Sequence, residues 1–330
     1  MRSRAVGLVL GAAADAVWGD PRRGHPVAGF GTCAAWLERR WYADRRSAGV
    51  AYTAVLVGGA VALGVAAETA RPPVLRTLLT AAATWAVLGG SSLAGHGEAL
   101  AEELGAPPSP SDERHSRRNP GDESAARREP VDLAAARARI PSLCGRDPNL
   151  LDLPGMARAG VESLAENTSD AVVAPLFWGA VAGIPGLLGY RAVNTLDAMV
   201  GYRSPRYERF GWASARWDDV ANLAPARMAA LLFAGLAPAV GGSPRAALAA
   251  WRRDARRHPS PNAGPVEAAA AGALGVTLGG RTVYAHGVEE RPRLGSGPPP
   301  TPADLRRAAR LSRLVGAASA VLAAVVARPV

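Results

Sequence analysis

The chain of 330 residues is long enough for one large domain or two ordinary ones, is 48% hydrophobic but only 5% aromatic, and carries a formal net charge of +10. It contains no lysine, so all 38 basic residues are arginine. This excludes a Walker lysine, a lysine Schiff base and a lysine nucleophile, and leaves arginine, backbone amides or a metal to hold an anionic substrate. The arginines are spread over every hydrophilic segment without an RNA-binding signature, which favours the cytoplasmic loops of a membrane protein over a nucleic-acid partner.

The first half of the chain contains three apolar segments. The first, at 5–17, is interrupted by Asp15 and lacks a convincing cleavage site, so we interpret it as a retained short membrane or interfacial segment. The segments at 50–67 and 74–95 each approach the ~20 residues that cross a bilayer. The short ETARPP link between them predicts a hairpin whose arginine-rich flanks lie on the cytoplasmic side.

The second half begins with a change of composition. Residues 105–149 are rich in Pro, Ser, Arg and Glu, which predicts a flexible insert. Further apolar segments follow at 171–190, 223–242 and 314–327. The first two contain internal Pro and Gly, which membrane helices tolerate where they are broken or line a cavity. A full crossing by 171–190 would put its polar flanks on opposite faces, so we favour a re-entrant or broken helix that leaves both facing the cytoplasm.

These features predict an all-α, polytopic integral membrane protein with large cytoplasmic loops and broken or re-entrant helices. We expect a single membrane-embedded domain over residues 1–330, with the insert at about 105–149. Mean hydropathy is only +0.03, so a soluble alanine-rich helical protein stays open as an alternative.

Three carboxylates form a stripe in the sequence MARAGVESLAENTSD. Glu162, Glu166 and Asp170 are spaced four residues apart, so a helix places them on one face, where they repel each other. Such a stripe beside an apolar run predicts a cation or arginines facing it, and a plain solvated acidic face is the alternative.

The densest group of polar side chains falls within residues 190–227. Tyr190, Asn194 and Asp197 share a helical face, and Asp218 with Asn222 repeats the arrangement. Carboxylates and amides are hard oxygen ligands that suit Mg²⁺, which usually keeps waters and substrate phosphates in its shell. Arginines lie between these acids and would neutralise phosphate oxygens. The segment therefore predicts a metal and phosphate site at the membrane surface.

Two loops rich in Gly and Pro, GDPRRGHPV and RRHPSPNAGP, each contain a histidine. The Gly, Pro and Asn residues of these loops are typical of turns, so they need no function beyond shaping the chain. A single histidine is also more often structural than catalytic. The loops nevertheless contain more polar groups than a turn needs. Their candidate site residues are Asp20, His25, Asp254, His258, Ser260 and Asn262.

Six stretches together resemble the CbiB/CobD family of cobalamin biosynthesis, the membrane-associated adenosylcobinamide-phosphate synthases. They are GDPRRGHPV, GRD, VESLAENTSDAVVAPLFW, YRAVNTLDAMVGY, FGWASARWDDVANLAPAR and HPSPNAGPVEAAAAGALGVTLGG. Any one alone would be weak, but the six occur in the family's order and span most of residues 15–285. The chain departs from the family pattern at Pro148, where the family has Thr after GRD, and in its long insert.

The resemblance implies ATP-dependent amide formation between a propionate carboxylate of adenosylcobyric acid and the amine of aminopropanol or its phosphate. The product is adenosylcobinamide or its phosphate. A carboxylate is a poor acyl donor, and activation as an acyl phosphate, supported by Mg²⁺ and arginines, would solve this. We therefore expect ATP as co-substrate and a multi-pass protein of the cell membrane with its active site facing the cytoplasm. Its expected partners are membrane lipid and other late corrinoid-pathway enzymes.

This hypothesis assigns roles to individual residues. The expected metal ligands are Glu162, Glu166, Asp170, Asp197, Asp218 and Asp219. Arg216 and Arg227 are expected to hold phosphates. His258 or Asp254 is expected to accept the proton of the amine. Contacts with the corrinoid amides or the aminopropanol group are assigned to Asn167, Asn194, Asn222 and Asn262, and further substrate contacts to Asp20, His25 and Ser260.

Two other functions stay open. A magnesium-dependent membrane phosphotransferase of the CDP-alcohol type also places Asp and Arg at a membrane edge, although SARWDD matches its DG…AR…D motif only in part. A non-catalytic corrinoid-binding scaffold or a transporter would also build a cavity from broken helices.

Overall fold

The computed structural model describes residues 2–20, 24–105, 133–284 and 287–327. Most of them are helical, and a two-stranded antiparallel sheet precedes the last helix. The helices are α1 (Arg2–Trp18), α2 (Pro26–Trp41), α3 (Arg46–Glu68), α4 (Pro73–Val87), α5 (Gly90–Gly105), α6 (Leu133–Arg139), α7 (Leu153–Thr168), α8 (Ala174–Leu196), α9 (Trp212–Ala221), α10 (Leu223–Leu236), α11 (Pro244–Asp254), α12 (Ala263–Leu274) and α13 (Pro302–Val326). The strands are β1 (Thr277–Tyr284) and β2 (Gly287–Gly295).

The predicted fold class, an all-α polytopic membrane protein, is confirmed. Within the described ranges, five helical runs are long and apolar enough to cross a membrane. They are Arg46–Glu68, Pro73–Gly105, Leu153–Gly201, Leu223–Val240 and Pro302–Val326. The small sheet was not predicted, because its strands contain several Gly and Arg residues rather than an apolar alternation.

Most of the described helices form two bodies, and α2 and α9 pack against α3 and α8 of the first. A lipid-facing body contains α1, α3, α4, α8 and the C-terminal half of α13, and most exposed large apolar side chains of the described chain lie on these elements. A second body contains α5, α6, α7, α10, α11, α12, the strands and the first half of α13, around one buried core. Exposed apolar side chains are costly in water but favourable against lipid tails, so the first body indicates the membrane-facing side.

Small residues let the lipid-facing helices pack closely. A methyl group on Gly7 or Gly11 of α1 would overlap Thr80 or Thr84 of α4. Both threonine hydroxyls donate to the carbonyl four residues earlier, at 2.8 and 2.7 Å, so they leave no unpaired polar group at this interface. Close approach through small residues is typical of membrane helices, where dispersion contacts rather than water drive association.

Helix α8 is a hairpin broken at Gly183. This residue has φ 66° and ψ −147°, a conformation that favours glycine, and Pro185 follows it. The Tyr190 hydroxyl oxygen lies 3.1 Å from the backbone oxygen of Asp170, although a straight helix would separate these residues by about 30 Å. Both ends of the hairpin therefore lie on the same side, as expected for the predicted re-entrant or broken helix. Which side faces the cytoplasm stays a prediction.

Glu68 and Arg4 cap the tip of this hairpin. The backbone N–H of Ile184, which begins the second arm, donates to Glu68 Oε1 at 3.1 Å. Arg4 pairs with the same carboxylate at 3.3 Å and donates to the backbone oxygen of Ala180 in the first arm at 3.5 Å. Each arm thus gains a partner for backbone groups that the break leaves without helical bonds.

Glu68→Gln is expected to lower the free energy of unfolding by about 1–2 kcal/mol, because Ile184 loses a charged acceptor and Arg4 loses its partner. The change is measured as the thermal unfolding midpoint in detergent. Glu208→Gln is the matched control, since Glu208 is exposed and its side chain has no partner in the described chain. Equal midpoints for the two variants would contradict the capping role.

Part of the segment predicted as a flexible insert is helical. Residues 106–132 lie outside the described residues, but 133–149 contain α6 and two short 3₁₀ turns. Leu133, Ala136 and Ile140 are buried against the second body. Their spacing of three and four residues is helical, and the charged and Pro-rich composition around them concealed it.

Candidate functional site

Two π-helical turns position acids at the open end of the hairpin. One, Ser169–Val173, joins α7 to α8, and the other, Asp197–Gly201, follows α8. They place Asp170 and Asp197 at the two ends of the hairpin. A methyl group on Gly201 would overlap the carboxylate of Asp197, so the glycine leaves room for it. Such turns occur frequently at functional sites, because the extra residue re-aims a side chain.

Five carboxylates gather at this end, and we call them the acidic cluster: Glu166, Asp170, Asp197, Asp218 and Asp219. Glu166 interacts electrostatically with Asp170, Asp197 and Asp218. Its side chain is exposed while neighbouring residues of α7 are buried, so it faces an opening rather than the core. The cluster lies where the two bodies meet, and five of the six predicted metal ligands belong to it.

Asp218 is held by two amides. Asn222 Nδ2 donates to Asp218 Oδ2 at 3.0 Å, and Asn194 Nδ2 donates to Oδ1 at 3.4 Å. Burial raises the pKa of Asp218 to about 6; the two amide donors lower it, and the nearby carboxylates of Asp219 and Glu166 raise it further. Such a carboxyl group changes its charge close to physiological pH, which is a property of many catalytic acids and bases.

The buried amides of Asn222 and Asn262 are occupied within the protein. Asn222 Oδ1 accepts a hydrogen bond from the Tyr190 hydroxyl at 2.9 Å, while Nδ2 of the same amide donates to Asp218. Asn262 donates to the backbone oxygen of Asp219 at 2.7 Å and accepts from Arg227 at 2.8 Å. These contacts favour a positioning role over the predicted contact with substrate.

The other predicted polar residues have separate surroundings. Arg216 pairs with Asp219 at 3.2 Å at the surface. Asn167 donates to the backbone and hydroxyl oxygens of Ser163 at 3.0 and 3.2 Å. Ser260 Oγ accepts from the backbone N–H of Ala263 at 3.1 Å and thus supports the start of α12.

Asp20 and His25 form a pair next to the site. His25 Nε2 lies 3.6 Å from Asp20 Oδ1, and its Nδ1 accepts from the backbone N–H of Val27 at 3.1 Å, capping α2. Asp20 interacts electrostatically with Arg191, which also interacts with Asp170 of the acidic cluster. The N-terminal loop therefore approaches the acidic cluster, as the prediction of a shared site requires.

Glu162 lies in a different environment from the acidic cluster. Its carboxylate pairs with Arg146 and with Arg291 Nη1 at 3.4 Å, and accepts from the backbone N–H of Gly279 at 2.7 Å. Only 3% of its side chain is exposed. Arginines therefore face this part of the stripe, which is one of the two arrangements expected, and both oxygens are engaged. This geometry favours an ion-pair role for Glu162 over the predicted role as metal ligand.

His258 and Glu267 complete this second group, which we call the buried charge network: Arg146, Glu162, His258, Glu267 and Arg291. His258 Nε2 contacts Arg291 and lies 3.7 Å from Glu267, and 4% of the ring is exposed. Burial and the charge of Arg291 lower the pKa of His258 to about 4. Burial also raises the pKa of Glu267 well above its usual value. His258 is thus enclosed and a weak base, an arrangement that favours a structural role over the predicted general base.

Asp254 is also unsuited to accept a proton. Its buried carboxylate pairs with Arg253 at 2.6 Å and with Arg257 at 3.6 Å, and accepts from Gly295 N–H at 3.0 Å. Burial opposes these contacts, but together they lower the pKa of Asp254 below its usual value. The carboxylate therefore joins α11 to β2 instead of facing the acidic cluster.

A family model described as CobD/Cbib protein matches residues 8–312. The chain belongs to the CobD/Cbib family. This confirms the resemblance stated from the six sequence stretches. No solved structure matches the chain.

Several curated relatives carry the name "Cobalamin biosynthesis protein CobD". The protein of Mycobacterium tuberculosis is 53% identical over 322 residues, 98% of this chain and 95% of the relative. That of Rhodobacter capsulatus is 43% identical over 297 residues, 88% of this chain and 86% of the relative. That of Chromobacterium violaceum is 41% identical over 304 residues, with coverage of 90% and 88%.

The chemistry of the acidic cluster suits Mg²⁺ in a limited way. In the part of the chain that the structure describes, no three His, Cys, Asp or Glu side chains converge closely enough to hold a metal ion by themselves. Mg²⁺ is commonly bound through one or two carboxylates, with waters and substrate phosphates completing its shell. The cluster's hard oxygens fit that mode of binding, in which the substrate brings part of the shell.

Sequence reasoning missed three residues around the site, which are Arg146, Arg191 and Arg291. Arg191 lies on the second arm of the hairpin beside Tyr190, which the sequence placed on one face with Asn194 and Asp197 and which links Asp170 to Asn222. Arg146 falls in the GRD stretch, and Arg291 lies on β2. The GRD stretch was the available signal for Arg146. Arg291 gave none, because it lies 129 residues from Glu162 in a strand that was not predicted.

Proposed function

We propose that this chain acts in cobalamin biosynthesis as an ATP-dependent ligase. It joins a propionate carboxylate of adenosylcobyric acid to the amine of aminopropanol or its phosphate. Membership of a family whose curated members are named cobalamin biosynthesis proteins supports the pathway. The observation that carries the chemistry is the acidic cluster, in which Asp218 has a pKa of about 6.

The proposed reaction has two steps. A propionate oxygen attacks the γ-phosphorus of ATP, the bond to the bridging oxygen breaks, and ADP leaves an acyl phosphate. The amine nitrogen then attacks the acyl carbon, the bond between this carbon and the phosphate oxygen breaks, and inorganic phosphate leaves. The nitrogen loses one proton during amide formation, so the site needs a base.

Asp218 is the residue best suited to be that base. A base is most effective when its pKa is close to the working pH, and the pKa of Asp218 is about 6, whereas that of His258 is about 4. Asn194 and Asn222 hold both oxygens of Asp218 in place. This proposal moves the base from His258 or Asp254, as expected from the sequence, to Asp218.

One or two of the carboxylates of Glu166, Asp170 and Asp197 would hold Mg²⁺ at the acidic cluster, with waters and substrate phosphates completing its shell. When bound, the ion supplies charge stabilisation to the transferred phosphoryl group. Arg227 lies beside the cluster through Asn262, and its guanidinium group is suited to pair with a phosphate oxygen. Arg216, which is exposed and one turn before Asp219, is a second such group.

The rate of amide formation is expected to rise as pH increases through about 6 and to level off above it. Below this pH Asp218 is protonated and accepts no proton. The effect of Asp218 on the stability of the fold runs in the opposite direction. Because folding raises its pKa from 3.8 to about 6, its contribution to the free energy of unfolding is fully present below about pH 4 and is lost as pH rises through about 6. The measurement is kcat/KM against pH. A flat profile through this range would contradict the role of Asp218.

The experiment that tests the function is conversion of adenosylcobyric acid by the purified, detergent-solubilised chain with amine, Mg²⁺ and ATP, followed by mass spectrometry. We expect a product with the mass of the amide, and its loss when ATP or the amine is withheld. Free aminopropanol and its phosphate are supplied in separate reactions. Corrinoid binding without any product would overturn the ligase and favour a scaffold, and release of CMP from a CDP-alcohol would favour the phosphotransferase.

A further inference from the structure

A basic pocket lies at the N-terminal end of α7. Its volume is about 530 Å³, and the first turn of α7 and the glycine-rich start of β1 form its walls. We call it the arginine pocket because Arg158, Arg281 and Arg293 line it. A pocket of this size is large enough for a substrate-sized ligand.

The arginine pocket contains more positive than negative charge among its lining residues. Among the described residues, no carboxylate forms an ion pair with any of the three arginines. Asp152 also lines the pocket, but its Oδ1 accepts from the backbone N–H of Gly155 at 2.8 Å and caps α7. The pocket is therefore positively charged, and a positively charged pocket attracts anions.

Two of the arginines converge on one point. A methyl group on Gly280 would lie 3.6 Å from Arg158 Nη1 and 3.8 Å from Arg293 Nε. Arg158 is fixed by a hydrogen bond from Nη2 to the backbone oxygen of Arg281 at 2.7 Å. Its Nε is buried and has no hydrogen-bond partner in the described chain. Paired, oriented N–H donors of this kind match the oxygens of a phosphate group.

From these contacts we infer that the arginine pocket binds the phosphate groups of a phosphorylated substrate. The position along α7 supports this, since Arg158, Glu162 and Glu166 are spaced four residues apart on one face. Arg158 thus lies about 12 Å along the helix axis from Glu166 of the acidic cluster. Gly279, in the pocket wall, donates to Glu162 between them at 2.7 Å. A phosphate group held here therefore lies on the same face of α7 as the acidic cluster.

Two sources of phosphate share this chemistry: a nucleoside triphosphate and a phosphorylated amine. Their identity as substrates rests on the proposed function, but the pocket's affinity for phosphate does not. The absence of lysine from the whole chain leaves arginine as the cationic side chain for either ligand. The arginine pocket is thus assigned as the place where phosphate binds, and separate probes distinguish which molecule supplies that phosphate.

The test uses isothermal titration calorimetry on the full-length, detergent-solubilised chain, with three separate probes: a non-hydrolysable ATP analogue, inorganic pyrophosphate and aminopropanol phosphate. The test variant combines Arg281→Gln with Arg293→Gln. Both side chains are exposed, so their removal should leave the thermal unfolding midpoint unchanged. The matched control combines Arg252→Gln with Arg256→Gln, which removes two exposed positive charges outside the pocket.

We expect the test variant to raise the dissociation constant of at least one probe by about 10-fold or more, and the control to change it by less than about 2-fold. Weaker binding of the ATP analogue and pyrophosphate identifies the nucleotide as the ligand, and weaker binding of aminopropanol phosphate alone identifies the amine substrate. Equal affinities in the two variants, or no binding of any probe to the unaltered chain, would overturn the inference. Because no turnover is needed, this result is independent of whether amide formation is observed.

Discussion

Asp218→Asn is expected to lower kcat for amide formation by about 10²–10⁴-fold, the usual contribution of a general base. Asparagine keeps the shape of the side chain but accepts no proton from the amine. The acid limb of the pH profile should also disappear, because the group whose pKa is about 6 has been removed. The measurement is product formation by mass spectrometry at saturating substrate, with the pH profile recorded for both proteins.

Glu208→Gln serves as the control for Asp218→Asn. Glu208 is exposed on the segment just before α9, so its replacement removes the same charge from the same region. We expect its activity to stay close to that of the unaltered chain, and both variants to be extracted from the membrane in folded form. Near-normal activity of Asp218→Asn would remove Asp218 from the mechanism.

The second large effect is expected in stability. Glu162→Met should lower the free energy of unfolding by about 3–5 kcal/mol, because it removes a buried carboxylate that pairs with a buried arginine. Arg146 is only 5% exposed and pairs with Glu162, and Gly279 N–H would lose its acceptor as well. The change is measured as the thermal unfolding midpoint in detergent.

A compensating variant separates this ion-pair role from the metal-ligand role expected from the sequence. Combining Glu162→Met with Arg146→Met removes both partners of the buried pair, and well-packed apolar replacements of such pairs are often tolerated. We therefore expect the double variant to regain part of the lost midpoint. If the double variant is less stable than Glu162→Met, the pair is not what stabilises this region.

Much of the candidate site was predictable from local spacing. The four-residue interval of Glu162, Glu166 and Asp170 placed them on one helical face, and the helical segment after Tyr190 did the same for Asn194 and Asp197. Such intervals are set by the geometry of a single helix. The functions of these side chains depend on what faces them, which local spacing does not specify.

His258 and Glu162 illustrate that limit. The sequence HPSPNAGP suggests an accessible histidine, but Arg291 of β2 and Glu267 of α12 enclose its ring. Glu162 shares a stripe with Glu166, yet Arg146 and Arg291 occupy one carboxylate while the other is exposed. These contacts join distant parts of the chain, so no periodicity within one segment reveals them.

The sequence by itself determined the membrane-helical class, the broken helix and the family. These follow from hydropathy, from the positions of Gly and Pro and from the order of the motifs, all of which are visible in the linear sequence without long-range contacts. The tertiary structure decided which acids form the acidic cluster and which are neutralised by arginine. The physical reason is that the charge state of a side chain depends on its burial and on neighbouring charges. The hairpin at Gly183 and the return of β2 to α7 bring those neighbours together.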